Sequence, residues 1–489
     1  MLKILMVASE AAPFAKTGGL ADVVGSLPLA LRELDCQVAV LIPRYRAVDL
    51  SSARRVYDSM PVWMGGALYP TSLYQADGAT PFYFLECPEL YDRDGFYGDD
   101  SGDFPDNAVR FAVLCRAALS VARRVFRPQV LHCHDWQTGL APVYMKTVFA
   151  HDPTLFGIRT LYTIHNLGYQ GLFPPTVLPQ IGLDRRVFHW NGLEFFGKAS
   201  FMKGGLVYSD ALNTVSPRYA VEIQTAEYGF ALDGVLRARS QVLHGILNGV
   251  NYQDWSPETD PYLAAQYSAD DLSGKRRAKL DLLRELGLPD AALDRPLLGV
   301  VSRLTSQKGT ELITEIAPEL AGENLYLVML GSGDPDTETV VRELAAAYPD
   351  HIAVRFGYDE MLAHKIEAGS DMFLMPSQYE PCGLNQIYSL RYGTVPVVRA
   401  TGGLDDTIEE GTGFKFQEYS AQALLAAIRA AAVAFQDRES WEAMMRRGMR
   451  KDFSWRVSAG QYLALYRELL AGGRKAASFG RKQHPMNGR

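Results

Sequence analysis

A chain of 489 residues is too long for one compact core and predicts two or more domains. Its 47% hydrophobic and 21% charged residues exclude wholesale disorder, and a net charge of −7 argues against a global affinity for nucleic acid. The five cysteines, Cys36, Cys87, Cys115, Cys133 and Cys382, are widely spaced and form no CxxC pair, which argues against a disulfide framework and for a reducing, cytoplasmic setting.

The N-terminal apolar run, Ile4 to Val7, is closed by Glu10 and is too short for a secretory signal. Nothing along the chain approaches the ~18 apolar residues of a membrane helix. "KILMVASE" instead reads as a strand covered on both faces, and "ADVVGSLPLALREL" follows with helical spacing. Between them lies Lys16-Thr17-Gly18-Gly19. Adjacent glycines beyond a strand let backbone N–H groups approach a phosphate or sugar, and the next helix turns its positive end to the same spot. A tight turn with an exposed lysine is the plain alternative.

The alternation continues through "QVAVLIP", "PFYFLE", "DNAVRFAVLCRAALSVARRV", "QVLHCHD" and "RTLYTIHN". "HCHDW" puts His132 and His134 on one face of a strand and Asp135 at its tip. A metal reading lacks a third ligand at a familiar spacing. A polar loop at the carboxyl edge of the sheet, where open α/β folds bind ligands, fits better. "TIHNLGYQG" repeats that form with His165.

Gly, Asn, Asp and Pro crowd together at 244–261, which marks a domain boundary. After it "LLGVVSRL", "NLYLVMLGSGD", "HIAVRFGY", "MFLMPS" and "VPVVRATGG" again alternate with helical stretches, as in parallel sheets of βαβ units. Arg303 and Lys308 lie just beyond the first of these strands, where two cations suit a diphosphate or are ordinary surface charge. Tyr358 stands at another strand tip, where an aromatic ring can stack on a base. Glu380 precedes Pro381, Cys382 and Gly383 at the start of a helix, a carboxylate beside backbone donors. Neither a nearby base nor a triad order supports Cys382 as a nucleophile. The last 16 residues hold five Lys or Arg and no acid, which reads as a solvated tail or an anionic docking site.

Jointly, "KTGGLADVVGSLP", "HDWQTGLAP", "TIHNLGYQG", "SRLTSQKG" and "EPCGLNQIYSLRYGTVPVVRATGGL" resemble bacterial glycogen synthases and plant starch synthases, from Lys3 to about Trp455. The resemblance implies an α/β fold of two Rossmann-like doubly wound domains facing a central cleft, the GT-B arrangement. Expected domains are 1–245 for the glucan acceptor, 246–455 for the nucleotide sugar, a helix at 456–473 packing back on the first domain, and a flexible basic tail at 474–489. The implied activity is a retaining transfer of glucose from ADP-glucose to the non-reducing end of an α-1,4-glucan such as glycogen, gated by domain closure.

On this resemblance Glu380 is the essential carboxylate beside the donor glucose, and His165 and Asp135 face that sugar. Arg303 and Lys308 take the departing diphosphate. Lys16, Gly18, Gly19, Asp22, Tyr97, Tyr358, Cys382, Gly383 and Leu384 line the donor, with Tyr358 at the adenine. No metal or cofactor is implied, and neither a nucleic acid nor a membrane partner. Many GT-B relatives carry a second glutamate eight positions after the first; here that position is Tyr388, which leaves the ribose contact unassigned. Rival readings are a UDP-glucose-using synthase, a nucleotide-dependent dehydrogenase, which the missing GxGxxG opposes, and a non-catalytic glucan-binding protein.

Overall fold

The structure, a computed structural model, describes every residue except 77, 79, 100 and 481–489, and for 473–480 the backbone alone. Chain contacts divide it into two compact units. The first holds Met1–Val215, Ala220–Gly249 and the chain from Trp455; the second holds Ser216–Tyr219 and Val250–Ser454.

The first unit is built on a nine-stranded sheet. Its strands are β1 (Leu2–Val7), β2 (Cys36–Pro43), β3 (Ala53–Tyr57), β4 (Ser72–Ala76), β5 (Phe82–Glu86), β6 (Val130–His134), β7 (Arg159–Ile164), β8 (Ala211–Thr214) and β9 (Leu243–Gly245). They run in the order β9-β8-β7-β6-β1-β2-β5-β4-β3, all parallel except at the β5-β4-β3 edge. Helix α1 (Gly19–Glu33) follows β1, and α2 (Asn107–Arg124) precedes β6. The register sets Val7 opposite Cys133 and His134 opposite Thr163, so the carboxyl ends of β1, β6 and β7 lie side by side. Residues some 150 apart in sequence therefore meet at one sheet edge, the place where parallel sheets expose their loops.

The second unit has a six-stranded parallel sheet of β10 (Leu297–Val301), β11 (Tyr326–Gly331), β12 (Ile352–Phe356), β13 (Met372–Met375), β14 (Val395–Arg399) and β15 (Phe414–Phe416). Its order is β12-β11-β10-β13-β14-β15. Leu298, Leu327 and Met329 enter one core cluster, while Leu297, Tyr326, Val328 and Leu330 enter another. Successive side chains point to opposite faces and both faces are buried, which is why these strands read as unbroken apolar runs. Helix α3 (Thr310–Gly322) follows β10, and the short α4 (Asn385–Arg391) lies between β13 and β14.

The units part at Gly249 and Val250, four residues beyond the expected boundary at 245/246. Past β9 the chain is still held by the first unit: Ile246 N–H donates to Thr214 O at 2.9 Å, and Ser458 Oγ donates to Leu247 O at 2.6 Å. Val250 N–H then donates to Phe453 O at 2.9 Å, inside the second unit. Ser216–Tyr219 joins the second unit as well, where Arg218 N–H donates to Asp406 Oδ2 at 2.8 Å. The last helix, α5 (Trp455–Gly480), packs against α1 and β7. It runs past the expected end at 473, so 474–480, assigned to the tail from sequence, is helical backbone; 481–489 lies outside the described residues. Among the described residues no helix is long and apolar enough to cross a membrane.

Candidate active site

In the first unit β1 ends at Val7 and the chain reaches α1 through an exposed stretch, 16–19. Gly18 is fully extended (φ −166°), a conformation open to any residue, and a Cβ at Gly18 or Gly19 would meet nothing within 4 Å. What the glycines provide is an uncovered helix start, whose first N–H groups have no intrahelical partner. Lys16 Nζ lies 2.7 Å from Asp22 Oδ1, with side chains 46% and 26% exposed. Such a pair contributes at most about 1 kcal/mol, so Lys16 can exchange its carboxylate for an anionic ligand at little cost.

Glu10 was not singled out by sequence reasoning. It is buried, and its carboxylate accepts the N–H and the O–H of Thr17 and the O–H of Tyr97. Ser9 Oγ lies 2.8 Å from the same Tyr97 oxygen. Tyr97, expected against the donor sugar, thus directs its hydroxyl to Glu10 and Ser9. The signal for Glu10 was an acid set immediately after an apolar strand, at the edge where ligands bind.

At the tips of β6 and β7, His134 Nδ1 and His165 Nε2 are 3.0 Å apart. His132 rests on His134 with ring centroids 4.1 Å apart; its Nδ1 meets Tyr466 Oη of α5 at 2.8 Å and its Nε2 meets Thr163 Oγ1 at 2.6 Å. Burial pushes His132 and His165 down to about 3 and His134 well below the usual histidine range, so all three are neutral at neutral pH. His134 Nε2 is buried without a partner. One of the two facing nitrogens, His134 Nδ1 or His165 Nε2, carries the proton that joins them. Asp135 sits in the left-handed region (φ 55°) and accepts the His165 backbone N–H at 2.7 Å. Burial raises its carboxyl to about 7, against the opposing pull of backbone bonds from His165 and Asn166. Among the described residues no three His, Cys, Asp or Glu side chains converge as a metal site.

In the second unit Arg303 follows β10 and is exposed; its guanidinium lies 3.3 Å from Gln307 Oε1. A turn, Ser306–Lys308, leads into Gly309, at φ +74°. A Cβ on Gly309 would fall 2.4 Å from Pro376 O, and this close approach brings Lys308 over the loop after β13. Lys308 Nζ is 2.5 Å from Glu380 Oε2, and Ser377 Oγ donates to the same oxygen at 3.1 Å. Glu380 is only 5% exposed. Its backbone is fixed from behind: Gly403 N–H donates to Glu380 O at 3.1 Å, and a Cβ on Gly402 would lie 1.9 Å from that oxygen. Arg399 reaches Gln378 O at 2.5 Å. Lys308, expected on a diphosphate with Arg303, is therefore also the counter-ion of Glu380.

Cys382 is buried against Gly403, Gly383 takes φ +71°, and Leu384 caps α4. Tyr358 follows β12 and is 82% exposed. Tyr388, eight positions after Glu380, is packed: its ring stacks on Trp255 at 4.0 Å and 6°, and Trp255 stacks on His364 at 3.7 Å and 15°.

Residues 3–238 match the starch synthase catalytic domain, and residues 289–446 match glycosyl transferases group 1. The glycogen synthase of Koribacter versatilis is 51% identical, over 95% of this chain and 98% of its own length. That of Anaeromyxobacter dehalogenans is also 51% identical, over 96% of this chain and 100% of its own. Among solved structures, the catalytic domain of starch synthase IV from Arabidopsis thaliana, bound to ADP and acarbose, is 34% identical with a TM-score of 0.89, over 96% of this chain and 99% of that one. Sucrose-phosphate synthase from Thermosynechococcus elongatus, 18% identical with a TM-score of 0.61 over 96% of this chain and 100% of that one, shares the fold alone. With near-complete coverage at half identity, and with these motifs on two α/β units whose sheets are wholly or mainly of parallel strands, the chain belongs to the glycogen and starch synthase family of GT-B glycosyltransferases.

Proposed function

We propose that this chain transfers glucose from ADP-glucose to the non-reducing end of an α-1,4-glucan, with the α configuration retained. The observation that carries the reading is the buried Glu380 carboxylate, ion-paired with Lys308 and braced from behind by Gly402 and Gly403. A fixed negative charge of this kind stabilises a cationic, oxocarbenium-like sugar more than the neutral donor, and only such differential binding raises kcat. Lys308 has three N–H donors; with one on Glu380 the others are free for a phosphate oxygen. In the second unit Arg303 and Lys308 meet the charge that grows on the diphosphate, and Tyr358 offers a ring to the adenine. Cys382, Gly383 and Leu384 line the donor there. In the first unit Lys16, its partner Asp22 and the open turn at Gly18 and Gly19 face the donor, while His165 and Asp135 address sugar hydroxyls.

The route we favour is same-face attack through an ion pair. The acceptor hydroxyl passes its proton to the departing phosphate oxygen as the glycosidic bond forms. The ADP held by the Arabidopsis relative supports an adenine nucleotide. The cations Lys16, Arg303 and Lys308 take the place of a divalent ion, so turnover in excess EDTA should equal that without it. A cytoplasmic location belongs to the same proposal.

The test is ADP release from ADP-glucose in the presence of glycogen, run in parallel with UDP-glucose. Glycogen-dependent release with a higher kcat/KM for ADP-glucose supports the reading. An equal or higher value with UDP-glucose overturns the donor, and no turnover with either donor points to a glucan-binding protein without activity.

A further inference from the structure

Residues 16–19 are exposed, yet Thr17 among them is tied to a buried acid. Backbone bonds close the chain before this stretch, where Ala11 and Ala15 exchange N–H···O bonds at 3.0 Å and the Phe14 ring packs on Phe82 and Phe84 at 5.1 and 4.9 Å. They resume after it, where Ala21 N–H donates to Gly18 O at 3.1 Å. Between these anchors Thr17 gives its N–H to Glu10 Oε2 and its O–H to Oε1, the latter at 2.8 Å. Glu10 is 3% exposed.

Two donors from one residue to two oxygens of one carboxylate fix orientation as well as position. The third donor, Tyr97 Oη–H, keeps the carboxylate from turning. Tyr97 is itself held by a rigid support: its carbonyl accepts from Asn107 Nδ2 at 2.8 Å, and the neighbouring Phe96 carbonyl accepts from the buried Arg110 at 3.0 Å. Both supporting residues lie on α2. All three donors on Glu10 are neutral groups, so its bonds are charge-assisted on the acceptor side alone, and each is stronger than a neutral pair.

We propose that Glu10 is the positioning residue of the Lys16–Gly19 stretch, a buried clamp on Thr17 that sets where the Lys16 ammonium and the first N–H groups of α1 meet the donor. The proposal rests on the reading of that stretch as donor-facing. It makes Tyr97 a support of the clamp through its hydroxyl.

The experiment uses the full chain, with Glu10→Gln and Thr17→Val. Glutamine keeps the shape of Glu10 but replaces one acceptor with a donor. Thr17→Val removes one hydroxyl from an exposed residue and keeps its N–H, so it tests the same clamp even if E10Q folds poorly. Hydrogen exchange by mass spectrometry, without ligand, should show faster exchange over 15–19 in E10Q. The donor KM should rise about tenfold in E10Q, the loss of one bond to a charged group, with the glycogen KM within about twofold. The rise in T17V should be smaller, and the double variant should show less than the product of the two. Unchanged exchange in E10Q overturns the clamp, whatever the activity. Faster exchange with an unchanged donor KM overturns its role at the donor. Loss of donor affinity, glycogen affinity and thermal stability together would make Glu10 a general structural residue and overturn positioning. If the wild type turns over no ADP-glucose, exchange still reads the clamp. Protection of 15–19 by added ADP-glucose then decides separately whether the stretch faces the donor.

Discussion

Removing the Lys308 ammonium should damage stability and catalysis by separable amounts. Lys308→Met keeps the apolar stem and most of the volume. It leaves Glu380, whose side chain is 7% exposed, with only the Ser377 hydroxyl at 3.1 Å on the oxygen Lys308 had held. Breaking a buried pair from one side costs roughly 3–5 kcal/mol. Lys308 itself is 20% exposed and Ser377 remains, so the cost falls around or below the bottom of that range, about 2–4 kcal/mol. For a unit of this size the loss lowers its unfolding temperature by roughly 5–15 °C. Glu380→Gln in the same chain removes the orphaned charge, and the double variant should regain most of that stability. It should not regain turnover. Loss of a donor to the departing diphosphate costs about 2–4 kcal/mol in the transition state, a fall in kcat of roughly 30- to 1,000-fold. The assay is a double-mutant cycle read twice, by thermal unfolding and by saturating-donor kcat. A K308M enzyme with wild-type kcat would remove Lys308 from the chemistry. A double variant no more stable than K308M would show that the ion pair is not what holds Glu380.

Three further outcomes follow from the geometry. Gly403→Ala puts a Cβ 2.1 Å from Cys382 O, a backbone atom that cannot swing away, so the loop bearing Glu380 must shift; kcat should fall by about 100-fold while donor binding falls less, and normal kinetics would show the loop to be slack. Tyr388→Glu forces a carboxylate against the Trp255 ring in a site 9% exposed and should cost about 3 kcal/mol of stability, measured by urea unfolding of the second unit; unaltered stability would show that the stack contributes nothing. Asp135 titrates near 7 in the fold against roughly 3.9 unfolded, so the fold favours its neutral form: stability falls as pH rises from about 4 to about 7, by at most about 4 kcal/mol, and is flat above. Asp135→Asn should flatten that slope in pH-dependent unfolding, and an unchanged slope would assign it to another group.

The two sheets were legible because parallel strands buried on both faces leave unbroken apolar runs, and because their loops carry the unusual residues. Long-range partners were not legible. Lys308 and Glu380 are 72 positions apart and meet because β13 pairs directly with β10, a neighbour choice no local pattern encodes. Glu10 looked like an ordinary charge closing a strand; its three donors come from the loop after it and from Tyr97, 87 positions on. The boundary lies at Gly249 because Thr214 holds Ile246 and Ser458 of the far C-terminal helix holds Leu247, and the Gly-, Asn- and Pro-rich composition of 244–261 cannot show which side claims each residue. Tyr388 could be read as a missing acid, but its place in an aromatic stack depends on Trp255 and His364, 133 and 24 residues upstream in the chain.

Transfer from ADP-glucose with retention is tested by following the anomeric carbon of the donor into the glucan. Incubation with ADP-glucose labelled with ¹³C at C1, followed by NMR of the isolated polymer, reads it directly. The label should appear as an α-anomeric carbon in a 1→4 linkage, in step with ADP release. Label in a β linkage, label recovered only as free glucose, or none in the polymer would contradict it.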